Sequence, residues 1–94
     1  YTAEPAGHDD TARSLRSGRR EANEPGTRSI CDALLVPQPG ALTFPILRAR
    51  GAAGVVVSDP EVREAMRFAF RELKLVVEPG GAAALAAVLA GRLE

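Results

Sequence analysis

The sequence predicts an α/β fold in which short parallel strands are flanked by helices. Segments with strand character alternate along the chain with segments whose apolar residues recur at helical spacing. A β-branched run at residues 54–57, followed by Ser58, has the length of one strand. This alternation is typical of layered α/β domains with parallel strands. We therefore expect residues 1–94 to belong to a single domain.

The beginning of the chain predicts a strand end followed by a helix. Residues 1–3 have the character of a strand that stops before Pro5, because proline restricts its predecessor and donates no backbone hydrogen bond. Residues 9–17 predict a short helix that starts with acidic residues and stops at Gly18. A polar loop is expected at residues 19–28.

The middle of the chain contains one ambiguous segment and two predicted helix starts. Residues 29–36 are apolar apart from Asp32 and predict either a short helix or an irregular buried segment. Residues 42–50 have helical spacing with one apolar face. Ser58 and Glu61 have the spacing of a capping box at the start of a further helix.

The last third predicts two helices separated by a strand. The first of these helices presents an apolar stripe formed by Val62, Ala65, Met66, Ala69 and Leu73. Residues 75–77 predict a second short apolar strand, and residues 82–89 predict an alanine-rich helix. That last helix is apolar on almost every side and therefore needs cover from several directions.

Composition and charge exclude several classes of protein. Twelve basic and 12 acidic residues cancel, so no global charge attracts nucleic acid or an anionic membrane. No apolar run is long enough to cross a bilayer. The single cysteine favours a reducing, cytoplasmic setting. The chain starts at Tyr1, in what reads as the middle of a strand, which leads us to expect a fragment of a larger domain.

Four acidic or imidazole side chains near the start could bind a cation. Glu4, His8, Asp9 and Asp10 occupy a predicted turn between a strand and a helix. Carboxylate and carbonyl oxygens on a turn suit Mg²⁺ or Ca²⁺. The alternative is that the two aspartates cap the helix and the histidine is a surface residue.

Other reactive side chains have simpler interpretations. Cys31 has apolar neighbours and lacks an activating base nearby, so a buried structural thiol is expected. Asp32 either caps a helix, pairs with an arginine or belongs to a site. Lys74, the only lysine, suits the C-terminal end of a helix. The turn that follows Glu78 could approach an anion or could be an ordinary strand-to-helix turn.

Several segments, read in order, resemble the serine/threonine dehydratase and serine racemase family, whose members belong to the second fold type of pyridoxal-phosphate enzymes. These segments are Ala3-Glu4-Pro5 with Asp9-Asp10, Ser14-Leu15-x-x-Gly18, Ser29-Ile30-Cys31-Asp32-Ala33, Val57-Ser58-Asp59-x-Glu61 with Ala65-Met66, and the run from Leu73 to Ala86. The resemblance covers essentially the whole chain and implies the C-terminal part of the large, catalytic domain.

The resemblance also implies roles for individual residues. In metal-activated members, positions equivalent to Glu4, the main-chain carbonyl of His8 and Asp10 bind Mg²⁺ or Ca²⁺. Asp32 and Ala33 would lie near the pyridoxal 5'-phosphate ring, and Glu78 would face the cofactor pocket. Family members usually have glycine at the position of Ala33 and alanine at that of Cys31, so the seating of the cofactor is open.

The implied activity is conversion of L-threonine or L-serine to a 2-oxo acid and ammonia. The Schiff-base lysine, the phosphate-binding glycine loop and the group on the pyridine nitrogen belong to other segments of such enzymes, so this chain alone is expected to carry no catalytic residue and to be inactive. Expected partners are an amino-acid substrate, the rest of the catalytic domain and, in a homo-oligomer, further copies. A racemase, a 3-hydroxyaspartate dehydratase, a non-catalytic interaction module and a ligand-free structural domain remain alternatives.

Overall fold

The computed structural model describes all 94 residues and has an α/β architecture, as predicted. Its regular elements are strand β1 at Thr2–Pro5, helix α1 at Asp10–Ser17, helix α2 at Thr43–Ala49, strand β2 at Gly54–Val57, helix α3 at Asp59–Phe68 and helix α4 at Pro79–Leu89. A short 3₁₀-helix at Asp32–Leu34 precedes α2, and a π-helix at Ala69–Leu73 extends α3.

The sheet consists of two parallel strands, with Thr2 of β1 opposite Gly54 of β2 and Pro5 opposite Val57. Helix α1 packs against β2 at close range. A Cβ atom built on Gly54 would lie 2.4 Å from the Cα atom of Ala12, which is fully buried in α1. Only glycine at this position allows the helix to approach the strand so closely.

The core lies between α3, α4 and the sheet, and small side chains form much of it. Its members are Cys31, Val57, Val62, Ala65, Ala82, Ala83, Ala86 and Ala87. The four alanines give α4 a buried inner face and let it pack closely against α3. The outer face of α4 is exposed at Val88 and Leu89. The expected lack of cover therefore holds for one side of this helix only.

Helix ends follow the sequence signals. Ser58 and Glu61 form the predicted capping box at the start of α3. Gly18 adopts a left-handed conformation after α1, and its N–H donates to the carbonyl of Ser14. Lys74 Nζ donates to the carbonyl of Arg71 at 2.6 Å, which confirms its place at a helix C-terminus.

The predicted strand at residues 75–77 is wrong. These residues form neither strand nor helix, and Val76 is 89% exposed. A β-branched run becomes a strand only where a neighbouring strand supplies backbone partners. The one sheet in this chain pairs β1 with β2 alone, so residues 75–77 have no such partner.

The apolar stripe predicted on α3 is correct up to its last residue. Val62, Ala65 and Ala69 are buried, whereas Leu73 is exposed. The π-helix at Ala69–Leu73 widens the turn and changes the face on which the following side chain emerges.

Helix α2 presents its apolar face outward. Leu42 is 85% exposed and Ile46 is 61% exposed, while Phe44 is the buried residue of this helix. None of the helices is both long and apolar enough for a membrane crossing.

Candidate functional site

The acidic turn between β1 and α1 brings Glu4 to the N-terminus of α1. The N–H groups of Thr11 and Ala12 donate to Glu4 Oε1 at 2.9 Å and Oε2 at 2.8 Å. Glu4 therefore caps the helix through its side chain. The sequence pattern offered the two aspartates for this role, but Asp9, which occupies the cap position, accepts no capping bond through its side chain. The negative carboxylate suits the positive end of the helix dipole.

Asp10 lies beside this cap and is fully buried. Its Oδ1 accepts a hydrogen bond from Asn23 Nδ2 at 2.6 Å, whereas its buried Oδ2 has no partner. Burial, with a smaller contribution from the nearby Asp10 carboxylate, raises the pKa of Glu4. A buried carboxylate oxygen without a donor is costly, so the turn is an environment that favours a positive charge.

The carbonyl of His8 is available on the same turn. No N–H or O–H group of the chain donates to this carbonyl, and the N–H of Ala12, four residues further on, donates to Glu4. The imidazole of His8 is buried, with Nε2 3.2 Å from Thr27 Oγ1 and Nδ1 without a partner. The predicted histidine is thus a packed side chain whose main-chain oxygen is free.

No group of three or more His, Cys, Asp or Glu side chains forms a metal centre in this chain. The acidic turn offers two carboxylates and one main-chain carbonyl, so protein side chains alone do not complete a coordination shell. Hard cations commonly combine carboxylates, carbonyls and water.

The second predicted site gathers at the N-terminus of α4. A Cβ atom built on Gly80 would lie 3.4 Å from the Cβ of Ala33 and 3.8 Å from Glu78 Oε1. The 3₁₀-helix that carries Asp32 and Ala33 therefore packs directly on the turn that carries Glu78. The structure thus brings Ala33 and Glu78 to the same turn, with Asp32 next to Ala33 in the chain, and the methyl group of Ala33 lies against Gly80.

The two carboxylates of this second site differ in their bonding. Asp32 Oδ1 accepts the N–H of Ala33 at 2.9 Å, which fixes an exposed side chain at the start of the 3₁₀-helix. Glu78 is exposed and occupies the cap position of α4 without capping it through its side chain. The Glu78 carboxylate makes no hydrogen bond within the chain. The expectation that Asp32 caps a helix or pairs with an arginine is wrong, because Cys31 holds the cap position of the 3₁₀-helix, no side chain caps it, and Asp32 forms no ion pair.

Cys31 is a buried thiol, and a separate groove lies between α3 and α4. Burial raises the pKa of the Cys31 thiol, as expected for a structural cysteine. A cavity of about 370 Å³ lies between the two helices. Its two glutamates, Glu61 and Glu64, are paired with Arg92 and Arg67, and Arg63 also lines it. It contains none of the predicted site residues.

All 94 residues match the family model described as "Pyridoxal-phosphate dependent enzyme". The chain belongs to the pyridoxal-phosphate-dependent enzymes. It is 40% identical over 90 residues to a serine racemase from Dictyostelium discoideum, which covers 95% of this chain and 28% of that protein. It is 38% identical over 76 residues to the L-threonine ammonia-lyase of Thermotoga maritima, which covers 81% of this chain and 19% of that protein.

Solved structures of pyridoxal-phosphate-dependent enzymes share the fold. A threonine deaminase from T.th. superposes with a TM-score of 0.88 and 43% identity, covering 97% of this chain and 31% of that one. The serine racemase of D. discoideum superposes with a TM-score of 0.83 and 38% identity, covering 96% of this chain and 28% of that one. The chain thus spans about a fifth to a third of the length of these relatives, and its fold is that of the second fold type.

Proposed function

We propose that this chain is part of a pyridoxal-phosphate-dependent ammonia-lyase that converts L-threonine or L-serine to a 2-oxo acid and ammonia. The observation that carries the proposal is the similarity to a threonine deaminase, which extends over 97% of the chain with a TM-score of 0.88. In the reaction, a proton leaves Cα and hydroxide leaves Cβ, which forms an enamine. The enamine takes a proton at Cβ to become an imine, and water hydrolyses the imine to the 2-oxo acid and ammonia.

The proposed contribution of this chain is one wall of the cofactor pocket. Bound pyridoxal phosphate supplies an electron sink for breaking the Cα–H bond. Asp32 and Ala33 would line the wall beside the ring, and Glu78 would accept a hydrogen bond from the ligand side. The free carboxylate of Glu78 and the close packing of Ala33 on Gly80 support this assignment.

A divalent cation, Mg²⁺ or Ca²⁺, is the second proposed ligand. Glu4, the carbonyl of His8 and Asp10 would hold it. Support comes from the unpartnered Oδ2 of Asp10, the free His8 carbonyl and the closeness of two carboxylates. The positive charge would offset their repulsion and fix the turn that begins α1.

Replacing one of its proposed protein ligands tests whether the cation binds at this turn. In the full-length protein, the Asp10→Ala variant should have the same activity in chelator as with added cation, because a carboxylate ligand of the cation is lost. Arg16→Ala, an exposed change in α1, is the matched control. Equal chelator sensitivity in wild type and Asp10→Ala would contradict the cation proposal.

A racemase is the second candidate function, favoured by 40% identity to a serine racemase over 95% of this chain. One assay separates the candidates: the full-length protein with pyridoxal phosphate is given L-threonine, L-serine or L-threo-3-hydroxyaspartate, and 2-oxo acid and D-serine are both measured. The ammonia-lyase proposal expects 2-oxo acid from L-threonine or L-serine as the faster product. Faster formation of D-serine would support the racemase. If L-threo-3-hydroxyaspartate were the one substrate that yields a 2-oxo acid, a hydroxyaspartate ammonia-lyase would replace both candidates.

A further inference from the structure

Asn23 lies in the polar loop after α1, and its side-chain amide and backbone N–H are all engaged in hydrogen bonds. Its Nδ2 donates to Asp10 Oδ1 at 2.6 Å and to the carbonyl of Val36 at 2.8 Å. Its Oδ1 accepts from Arg13 Nη2 at 2.6 Å, and its backbone N–H donates to the carbonyl of Pro37 at 2.8 Å. Four hydrogen bonds therefore hold this half-buried loop residue in place.

The partners leave one orientation for the amide. The –NH₂ end faces two acceptors, and the carbonyl end faces a guanidinium donor, so a flipped amide would lose all three side-chain bonds. Arg13 is itself anchored, since its Nη1 donates to the carbonyl of Ala22 and its Nε pairs with Asp9. The donor that Asn23 presents to Asp10 is therefore held in place before any ligand arrives.

This bond determines which oxygen of Asp10 is available. Asn23 occupies Oδ1, and Oδ2 of the same buried carboxylate has no partner. We infer that Asn23 is a positioning residue that fixes the Asp10 carboxylate with Oδ2 presented to a divalent cation. The inference rests on the cation proposed above and extends it to a residue that binds no cation itself.

Asn23 also connects the acidic turn to the segment that leads away from the cofactor wall. Val36 and Pro37, its two backbone partners, follow the 3₁₀-helix at Asp32–Leu34 by two and three residues. One side chain thus bonds both to the proposed cation ligand and to the chain that continues from Asp32 and Ala33. Cation binding at the turn is therefore physically linked to the position of that chain.

The test measures cation affinity rather than activity. The full-length protein, freed of cations with chelator, is titrated with CaCl₂ and separately with MgCl₂ by calorimetry. Asn23→Ala and the similarly sized Asn23→Leu should weaken the affinity about 10- to 100-fold, the usual effect of removing a residue that orients a metal ligand. Glu24→Gln, the exposed neighbour whose side chain makes no hydrogen bond, should stay within about twofold of wild type.

The Asp10→Asn variant distinguishes a wrong positioning role for Asn23 from a wrong cation site. Wild-type affinity in Asp10→Asn would overturn the cation site. Lost binding in Asp10→Asn with wild-type affinity in both Asn23 variants would overturn the positioning role alone. A purely structural role would lower the melting temperature equally in chelator and in saturating calcium. That result, or failure of both variants to fold, would also overturn the inference.

Discussion

At the residue scale, the sequence predicted where the acidic side chains lie but not the hydrogen bonds that they make. Glu4 lies at the end of β1 and Asp10 at the start of α1, on either side of one turn, and the sequence predicted this strand end and helix start correctly. The capping bonds of Glu4 and the bond from Asn23 to Asp10 were not predictable, because they join residues 7 to 13 positions apart through tertiary packing. Asn23 occurs in a polar loop without periodicity, so no pattern marked it.

The buried thiol gives a prediction at this scale. Cys31 is fully buried and its pKa is raised, so both access and thiolate formation are suppressed. We expect the native chain at neutral pH to react with a thiol reagent such as dithionitrobenzoate only as fast as it opens. After guanidinium chloride unfolds the chain, the reagent should rapidly release one equivalent of thionitrobenzoate per chain. Rapid reaction of the native chain would show that the thiol is reactive and accessible.

At the element scale, local signals set the helix ends while packing sets what the elements touch. The capping box at Ser58 and Glu61 needs only four consecutive residues, and it formed as predicted. The apolar run at residues 75–77 needs a partner strand, which sequence periodicity does not reveal, and it formed no strand. The two glycines differ in the same way. Gly18 ends α1 through a local signal, whereas Gly54 is required because α1 packs against it.

The close approach of α1 to β2 predicts the cost of a single methyl group. Gly54→Ala would place Cβ 2.4 Å from the Cα of Ala12, so helix or strand must shift. We expect a loss of about 1–3 kcal/mol in the free energy of unfolding, measured by denaturant titration. Gly81→Ala is the matched control, because its Cβ would meet only Glu78 Cγ at 3.6 Å. Equal stability of Gly54→Ala and wild type would contradict the packing.

The capping box predicts a dependence of stability on pH. The N–H of Ser58, and next the Arg92 guanidinium, hold the pKa of Glu61 down at about 2. A lowered folded-state pKa stabilises the protein above the unfolded value of 4.5, and this contribution is lost as pH falls from there toward 2. Glu61→Gln should therefore melt below wild type at pH 6, with a gap that shrinks at pH 3. A constant gap would contradict the role of the charge.

At the scale of the whole molecule, a sheet of two parallel strands is accompanied by apolar side chains that face outward from α2. Parallel sheets are usually covered on both faces. Leu42, Ile46 and Val76 are strongly exposed here, and the chain spans 28% of a serine racemase that it matches. We expect the isolated chain to self-associate, because exposed apolar patches favour contact. A monomer in sedimentation at high concentration would contradict this expectation.

In the proposed pocket, Glu78, with Asp32 and Ala33, faces bound pyridoxal phosphate. This placement is tested most directly by the absorption and circular dichroism bands of the cofactor in the full-length protein. Glu78→Gln should shift or weaken these bands, because the free carboxylate next to the ligand is replaced by an amide. Glu72→Gln, an exposed change in the π-helix, should leave them as in wild type. Bands in Glu78→Gln identical to those of wild type would contradict the account.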